Sequence, residues 1–155
     1  MSDIDPIPPG LRLISYLAVR DAEAALAFYA DVLGASVITK IPMGDGRLGH
    51  AELALPGDAR LFLSDEFPEM NVAGPAALGG TPVSLMLYVE DVDATAARAV
   101  EKGAELQGAI EDQIHGDRTA RLVDPFGHRW FLSSRIEEVG PEEIERRYAA
   151  QAGGS

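Results

Sequence analysis

The chain repeats itself. Ile14-Ser15-Tyr16-Leu17-Ala18-Val19-Arg20-Asp21 resembles Val83-Ser84-Leu85-Met86-Leu87 and Val89-Glu90-Asp91 once the second stretch is moved back by 70 positions. Gly34-Ala35 recurs as Gly103-Ala104, and Leu61-Phe62-Leu63-Ser64 as Trp130-Phe131-Leu132-Ser133, both at an offset of 69. The same offset pairs Ala51 with Ala120, Leu53 with Leu122, Pro56 with Pro125 and Arg60 with Arg129. A near-constant offset running through so many positions marks one supersecondary unit used twice. With 155 residues, the chain is long enough for a single core or for two small halves that share one.

Each copy reads strand-helix-strand-strand-strand. In the first, Arg12–Val19 is a strand apolar on both faces, and Asp21 is an N-cap whose carboxylate satisfies orphan amide donors. Ala22–Leu33 spaces Ala25, Leu26, Tyr29, Val32 and Leu33 for one apolar helix face, and Gly34 stops it. Strands are expected over Ala35–Ile41, Leu48–Leu55 and Arg60–Ser64, divided by turns at Pro42…Gly46 and Pro56-Gly57-Asp58. The second copy predicts a strand over Val83–Val89, a cap at Asp91 or Asp93, a helix to Lys102 stopped by Gly103, and strands near Leu106–Glu111, Arg118–Val123 and His128–Ser133. The repeats run over about 11–66 and 82–135, joined by a glycine- and proline-rich linker over 67–81. A helix over about 141–150 follows, begun by Pro141 with acids in its first turn, and Gln151–Ser155 reads as a frayed tail.

Charge and composition narrow the partners. Acids outnumber bases by 25 to 13, a net charge of −12 that repels phosphate backbones and anionic lipid, so neither nucleic acid nor membrane is an expected partner. There are no cysteines, which removes disulfides, thiolate metal sites and a cysteine nucleophile. No apolar run is long enough to span a bilayer, and the acidic, proline-rich start MSDIDPIPPG is unlike a signal peptide, so a cytoplasmic protein is expected. The phosphate-loop, dinucleotide-binding and nucleophile-elbow motifs are all missing.

Several segments resemble the vicinal oxygen chelate superfamily, which includes glyoxalase I, bleomycin-resistance proteins and extradiol dioxygenases, and within it the PhnB-like branch. They are Tyr16-Leu17-Ala18-Val19-Arg20-Asp21-Ala22, Phe28-Tyr29, Leu33-Gly34-Ala35, Leu63-Ser64-Asp65-Glu66-Phe67-Pro68, Gly116-Asp117-Arg118, Asp124-Pro125-Phe126-Gly127-His128-Arg129-Trp130 and Pro141-Glu142-Glu143. The resemblance implies an α+β fold: two pseudo-twofold-related βαβββ units whose strands curve into a common cup, one such domain over 1–155, and assembly as a homodimer, with Phe67, Met70 and Val72 as candidate contact material. It assigns metal-ligand positions to the first and last strands of each unit. On this chain they fall at Ile14, Phe62, Ser84 and Phe131. Three of these side chains carry no donor atom and a neutral serine hydroxyl is a poor ligand, so no metal of the superfamily type and no other cofactor is expected.

Strand alternation then fills the cup with other chemistry, because residues two apart share a face. Ile14 shares its face with Arg12, Tyr16 and Ala18, and Ser84 with Met86 and Tyr88, while Val83, Leu85, Leu87 and Val89 make an apolar back. If the third strands keep the offset, Glu52 and Arg121 face inward, with His50 and Thr119 beside them. Ile14, Tyr16, Phe62, Ser84, Met86, Tyr88, Arg121 and Phe131 are the candidate ligand-binding residues, an aromatic and thioether lining suited to a small organic ligand. A second reading stays open, in which the large apolar members simply fill the cup as core.

His50 and Glu52, two apart on one strand face, are the candidate catalytic pair, either a general acid and base or half of a relocated metal site. His115 and His128 read as turn histidines, and Asp117-Arg118 as a structural pair. The leading function is a metal-free small-molecule-binding protein, with antibiotic sequestration in view because bleomycin-resistance proteins hold a cationic drug in an acidic groove. The alternative is a glyoxalase-type lyase or isomerase using His50 and Glu52, with or without a divalent metal. A dioxygenase would need an iron facial triad that the family positions do not supply.

Overall fold

The computed structural model describes residues 4–11 and 13–154. It divides between Gly79 and Gly80 into two compact units, each holding one copy of the repeat. The result is a mixed α+β fold with one mixed sheet of four strands and another of five.

In the first unit, β1 (Ser15–Val19) leads into α1 (Ala22–Leu33), followed by β2 (Ser36–Pro42), β3 (Leu48–Leu55) and β4 (Ala59–Asp65). The strand order is β1-β4-β3-β2, with β1 parallel to β4 and the other pairs antiparallel. A parallel pair needs a crossover, and α1 supplies it. Asp21 caps α1 by accepting from the Ala24 amide at 3.0 Å, and Gly34 closes it at φ 68, a left-handed conformation that glycine adopts without steric cost. The apolar stripe of α1, with Leu26 and Tyr29 buried, packs against β2, β3 and β4, where Leu53, Leu61 and Leu63 are buried. Arg12, expected in the first strand, lies outside the described residues, and Ile14 stands one residue before the strand begins.

The linker is less featureless than its composition suggests. Pro68–Met70 makes a 3-10 turn, and Pro75 starts α2 (Pro75–Leu78), a single turn in which proline's fixed φ suits the first helical position.

The second unit repeats the plan with β5 (Ser84–Tyr88), α3 (Val92–Glu101), β6 (Glu105–Leu106), β7 (Glu111–Asp112), β8 (Asp117–Val123) and β9 (Arg129–Arg135). Its order is β5-β9-β8-β6, with β7 also pairing β8 and β5 parallel to β9. Asp91, not Asp93, caps α3 through the Ala94 amide at 3.0 Å. The single strand expected near Leu106–Glu111 is instead β6 and β7, interrupted around Gly108 at φ 82, a backbone conformation that does not continue a strand. Val83 stands outside β5 and is 59% exposed, so the apolar back is formed without it, by half-buried Leu85 and Leu87 against buried Leu132, Ala120 and Trp130.

One device recurs in both units. The end of the last strand reaches back to the helix start: Asp65 Oδ1 accepts from the Ala22 amide at 2.8 Å, and Ser134 Oγ accepts from the Val92 amide at 3.0 Å. Both partners obey the repeat offset. Helix α4 (Pro141–Gly153) runs past the expected end, through Gln151. Arg147 bonds Glu143 within it and Glu137 before it, and the alanines at 149, 150 and 152 are the best helix formers available. Arg118 does not pair with its neighbour Asp117; it bridges Asp93 at 2.8 Å and Asp112 at 2.8 Å.

Candidate functional site

Helices α1 and α3 each pack on one face of their own sheet, and the opposite faces carry the chemistry-bearing side chains. In the first sheet, Tyr16 pairs with Phe62, and Phe62 with Glu52, so the three stand in one row across β1, β4 and β3. His50 lies two residues before Glu52 on the same face. The Tyr16 hydroxyl bonds His50 Nδ1, and His50 Nε2 lies 3.0 Å from Glu52 Oε1. Phe62 meets both rings edge-on, with centroids 5.8 Å from Tyr16 and 5.1 Å from His50.

The donors in this chain can be assigned chemically. A carboxylate only accepts, so Nε2 carries the imidazole proton and donates to Glu52, leaving Nδ1 to accept from the phenol. Partial burial, and behind it the negative charge of Glu52, raise the Tyr16 pKa above its ordinary 10.0, which keeps the phenol protonated as the donor. The run is therefore phenol to imidazole to carboxylate.

Beside it opens a hollow of about 470 Å³, walled chiefly by Tyr16, His50, Ile41, Met43, Phe67 and Met70. Phe67 is buried rather than available to a partner, because the Arg47 guanidinium lies over its ring at 4.1 Å and is itself tied to Asp45 at 2.7 Å and Glu69 at 2.8 Å. Met43, Ile41 and Phe67 were not among the candidate ligand residues. Met43 lies in the β2–β3 turn, where no strand periodicity assigns a face. Ile14 and Phe62 are half-buried and stand outside this wall.

In the second sheet, Met86 pairs with Phe131, and Phe131 with Arg121, again one row. These three line a hollow of about 320 Å³ together with Thr119, Ser133 and His115. The Thr119 and Ser133 hydroxyls bond each other at 2.9 Å. Ser84 is not on this wall. Tyr88 faces a neighbouring hollow of about 450 Å³, where its hydroxyl donates to Asp117 Oδ2 at 2.7 Å. That bond raises the Tyr88 pKa, with desolvation adding to it. His115 proves to be more than a turn residue: Nε2 lies 3.5 Å from Asp117 Oδ2 and Nδ1 3.3 Å from the Tyr148 hydroxyl. Its place on the wall follows from the β7–β8 hairpin, which no alternation pattern announces. His128 stays in its turn, its amide donating to Asp124 Oδ1 at 2.9 Å.

The residues at the four positions that the resemblance assigns to metal ligands do not fit a divalent cation. Ile14, Phe62 and Phe131 have no donor atom, and Ser84 offers a neutral hydroxyl. Among the described residues no three His, Asp or Glu side chains gather as a metal site would require. None of the helices described is long and apolar enough to cross a membrane.

A strand-helix-strand plan built twice, with the last strand parallel to the first in each copy, defines the class. The chain belongs to the glyoxalase/bleomycin resistance protein/dioxygenase superfamily, whose family model matches residues 11–132. It is 40% identical over 145 residues to protein Rv0887c of Mycobacterium tuberculosis, covering 92% of this chain and 85% of that one. Among solved structures it is similar to PA1353 from Pseudomonas aeruginosa, with a TM-score of 0.65, 22% identity, and coverage of 83% of this chain and 100% of that one. It is also similar to FosX, a fosfomycin resistance protein from Listeria monocytogenes crystallised with Mn(II) and sulfate, with a TM-score of 0.63, 18% identity, and coverage of 92% and 99%. Likeness to these two structures is likeness of fold.

Proposed function

We propose that this protein binds a small, partly aromatic organic molecule without a divalent metal, as a homodimer of the PhnB-like branch. The observation that carries the reading is the first-sheet hollow: aromatic, thioether and aliphatic walls that end at the polar Tyr16–His50–Glu52 run. Polarizable methionines adapt to irregular ligands, and a tyrosine hydroxyl and imidazole orient one polar group. The net charge of −12 raises the local concentration of a cationic ligand, which supports antibiotic sequestration. Thermal unfolding in the presence of cationic aromatic antibiotics tests it. A binder held at 100 times its dissociation constant adds about 2.7 kcal/mol of stability. The gain should vanish in Tyr16→Ala, and no stabilisation by any member of the panel would remove the sequestration reading.

The Tyr16–His50–Glu52 run favours a second reading, a lyase or isomerase that moves a proton. The Tyr16 oxygen takes a proton from a carbon or hydroxyl of the substrate as the phenolic proton passes to His50 Nδ1. The imidazolium so formed is stabilised by Glu52. The phenol then acts with the basicity of the imidazole, and the reverse transfer returns the proton to product. With the hemithioacetal of methylglyoxal and glutathione as the trial substrate, His50→Ala and Tyr16→Phe should each abolish turnover while the protein stays folded. Unchanged turnover in His50→Ala would make that residue structural.

A further inference from the structure

The second sheet carries an arginine whose surroundings are unlike those of Arg47, Arg118 and Arg147. Arg47, Arg118 and Arg147 each hold two carboxylate side chains. Arg121 holds none among the described residues, in a chain with 25 acids. Its guanidinium lodges instead beside Gly108, in the break between β6 and β7, where a Cβ on the glycine would come within 3.4 Å of Nη2. The Gln107 amide donates to the Arg121 carbonyl at 2.7 Å and fixes the backbone there. Strand pairing puts Arg129 and Arg135 on the same open face, and neither has an ion pair among the described residues.

We propose that the hollow of the second sheet is a binding site for a singly charged organic carboxylate, held by Arg121 and the Thr119–Ser133 hydroxyl pair with its apolar body on Met86 and Phe131. The planar guanidinium fork matches a carboxylate with two parallel hydrogen bonds. One bond between two hydroxyls uses one proton and leaves the other to donate to the ligand. Glu111 also lines the hollow, and its negative charge disfavours a dianion over a monoanion. The site is built wholly from residues of the second unit.

Titration of 15N-labelled protein with 2-naphthoate, its neutral amide 2-naphthamide and 2-naphthyl phosphate tests the assignment. Naphthoate should shift the amide signals of Thr119, Arg121, Phe131 and Ser133 and bind at least about tenfold more tightly than naphthamide, the worth of a charged hydrogen bond. Arg121→Gln should weaken naphthoate by at least about tenfold. Arg121→Lys should weaken it less, and Arg60→Gln on the first sheet should leave it unchanged. Equal binding of naphthoate and naphthamide, an Arg121→Gln variant that is folded and binds normally, tighter binding of the phosphate, or no shift at millimolar naphthoate would each overturn it. Shifts confined to Tyr16, His50 and Met43 would also overturn it, while supporting the first-sheet hollow as a ligand site.

Discussion

Glu52 and Arg121 hold the same place in the two sheets. Glu52 pairs with Phe62 across β3 and β4, and Arg121 pairs with Phe131 across β8 and β9. The duplicated frame thus sets a carboxylate beside one phenylalanine and a guanidinium beside the other. The neighbouring positions diverge in step: His50 corresponds to Thr119, and Tyr16 to Met86. One open face carries a proton-bearing run, and the other carries cations and hydroxyls.

The Tyr16 phenol gives a pH signature. Its folded pKa lies above the ordinary 10.0, so the contribution of its neutral form to stability is full below pH 10 and is lost as pH rises through the folded value. Tyr88 is raised in the same direction, first by its bond to Asp117. Ultraviolet titration of tyrosinate should find Tyr16 and Tyr88 ionising above pH 10, and Tyr16→Phe should remove one of these high-pH transitions. A variant titrating like the parent would show that Tyr16 is not held as described.

Asp65 joins two elements that are far apart in sequence. Buried, it accepts from the Ala22 amide at 2.8 Å and the Leu48 amide at 2.6 Å. Asp65→Ala leaves both donors without a partner and should cost about 2–4 kcal/mol in urea unfolding. Asp65→Asn keeps one acceptor oxygen and should cost less. A loss within experimental error for the alanine variant would contradict this account.

Purified protein should carry no stoichiometric zinc, nickel, manganese or iron, since the four superfamily ligand positions offer one hydroxyl between them. Elemental analysis beside a chelator-stripped control measures this directly. An equivalent of any of these metals, bound tightly enough to survive dialysis, would refute the metal-free reading.

Assembly is measured by sedimentation. The proposed homodimer should sediment with twice the 16.5 kDa chain mass at micromolar concentration. Met70, 70% exposed, and Val83, 59% exposed, are then the first positions to substitute with charge, and either change should shift the equilibrium toward monomer. A mass near 16.5 kDa for the unmodified chain would exclude the dimer.

Much of the fold was legible because its signals are local. Asp21 and Gly34 bound α1 where an N-cap and a left-handed stop belong, and β3 runs over Leu48–Leu55 as its alternation requires. The offset of 69 to 70 makes the second unit readable from the first, and it sets Glu52 and Arg121 on equivalent positions. The failures were also local in cause. Gly108 broke an expected strand, and α4 outran its expected end once Arg147 found Glu137 and Glu143.

Sequence alone determined the duplicated strand-helix-strand plan, because periodicity, caps and turn chemistry are properties of neighbouring residues. Only the tertiary structure decided which groups bond: Tyr16 to His50, 34 positions away, Tyr88 to Asp117, and Arg121 beside Gly108 rather than beside an acid. A hydrogen bond depends on angstrom distances set by strand register and turn geometry, and these emerge when a whole sheet packs at once.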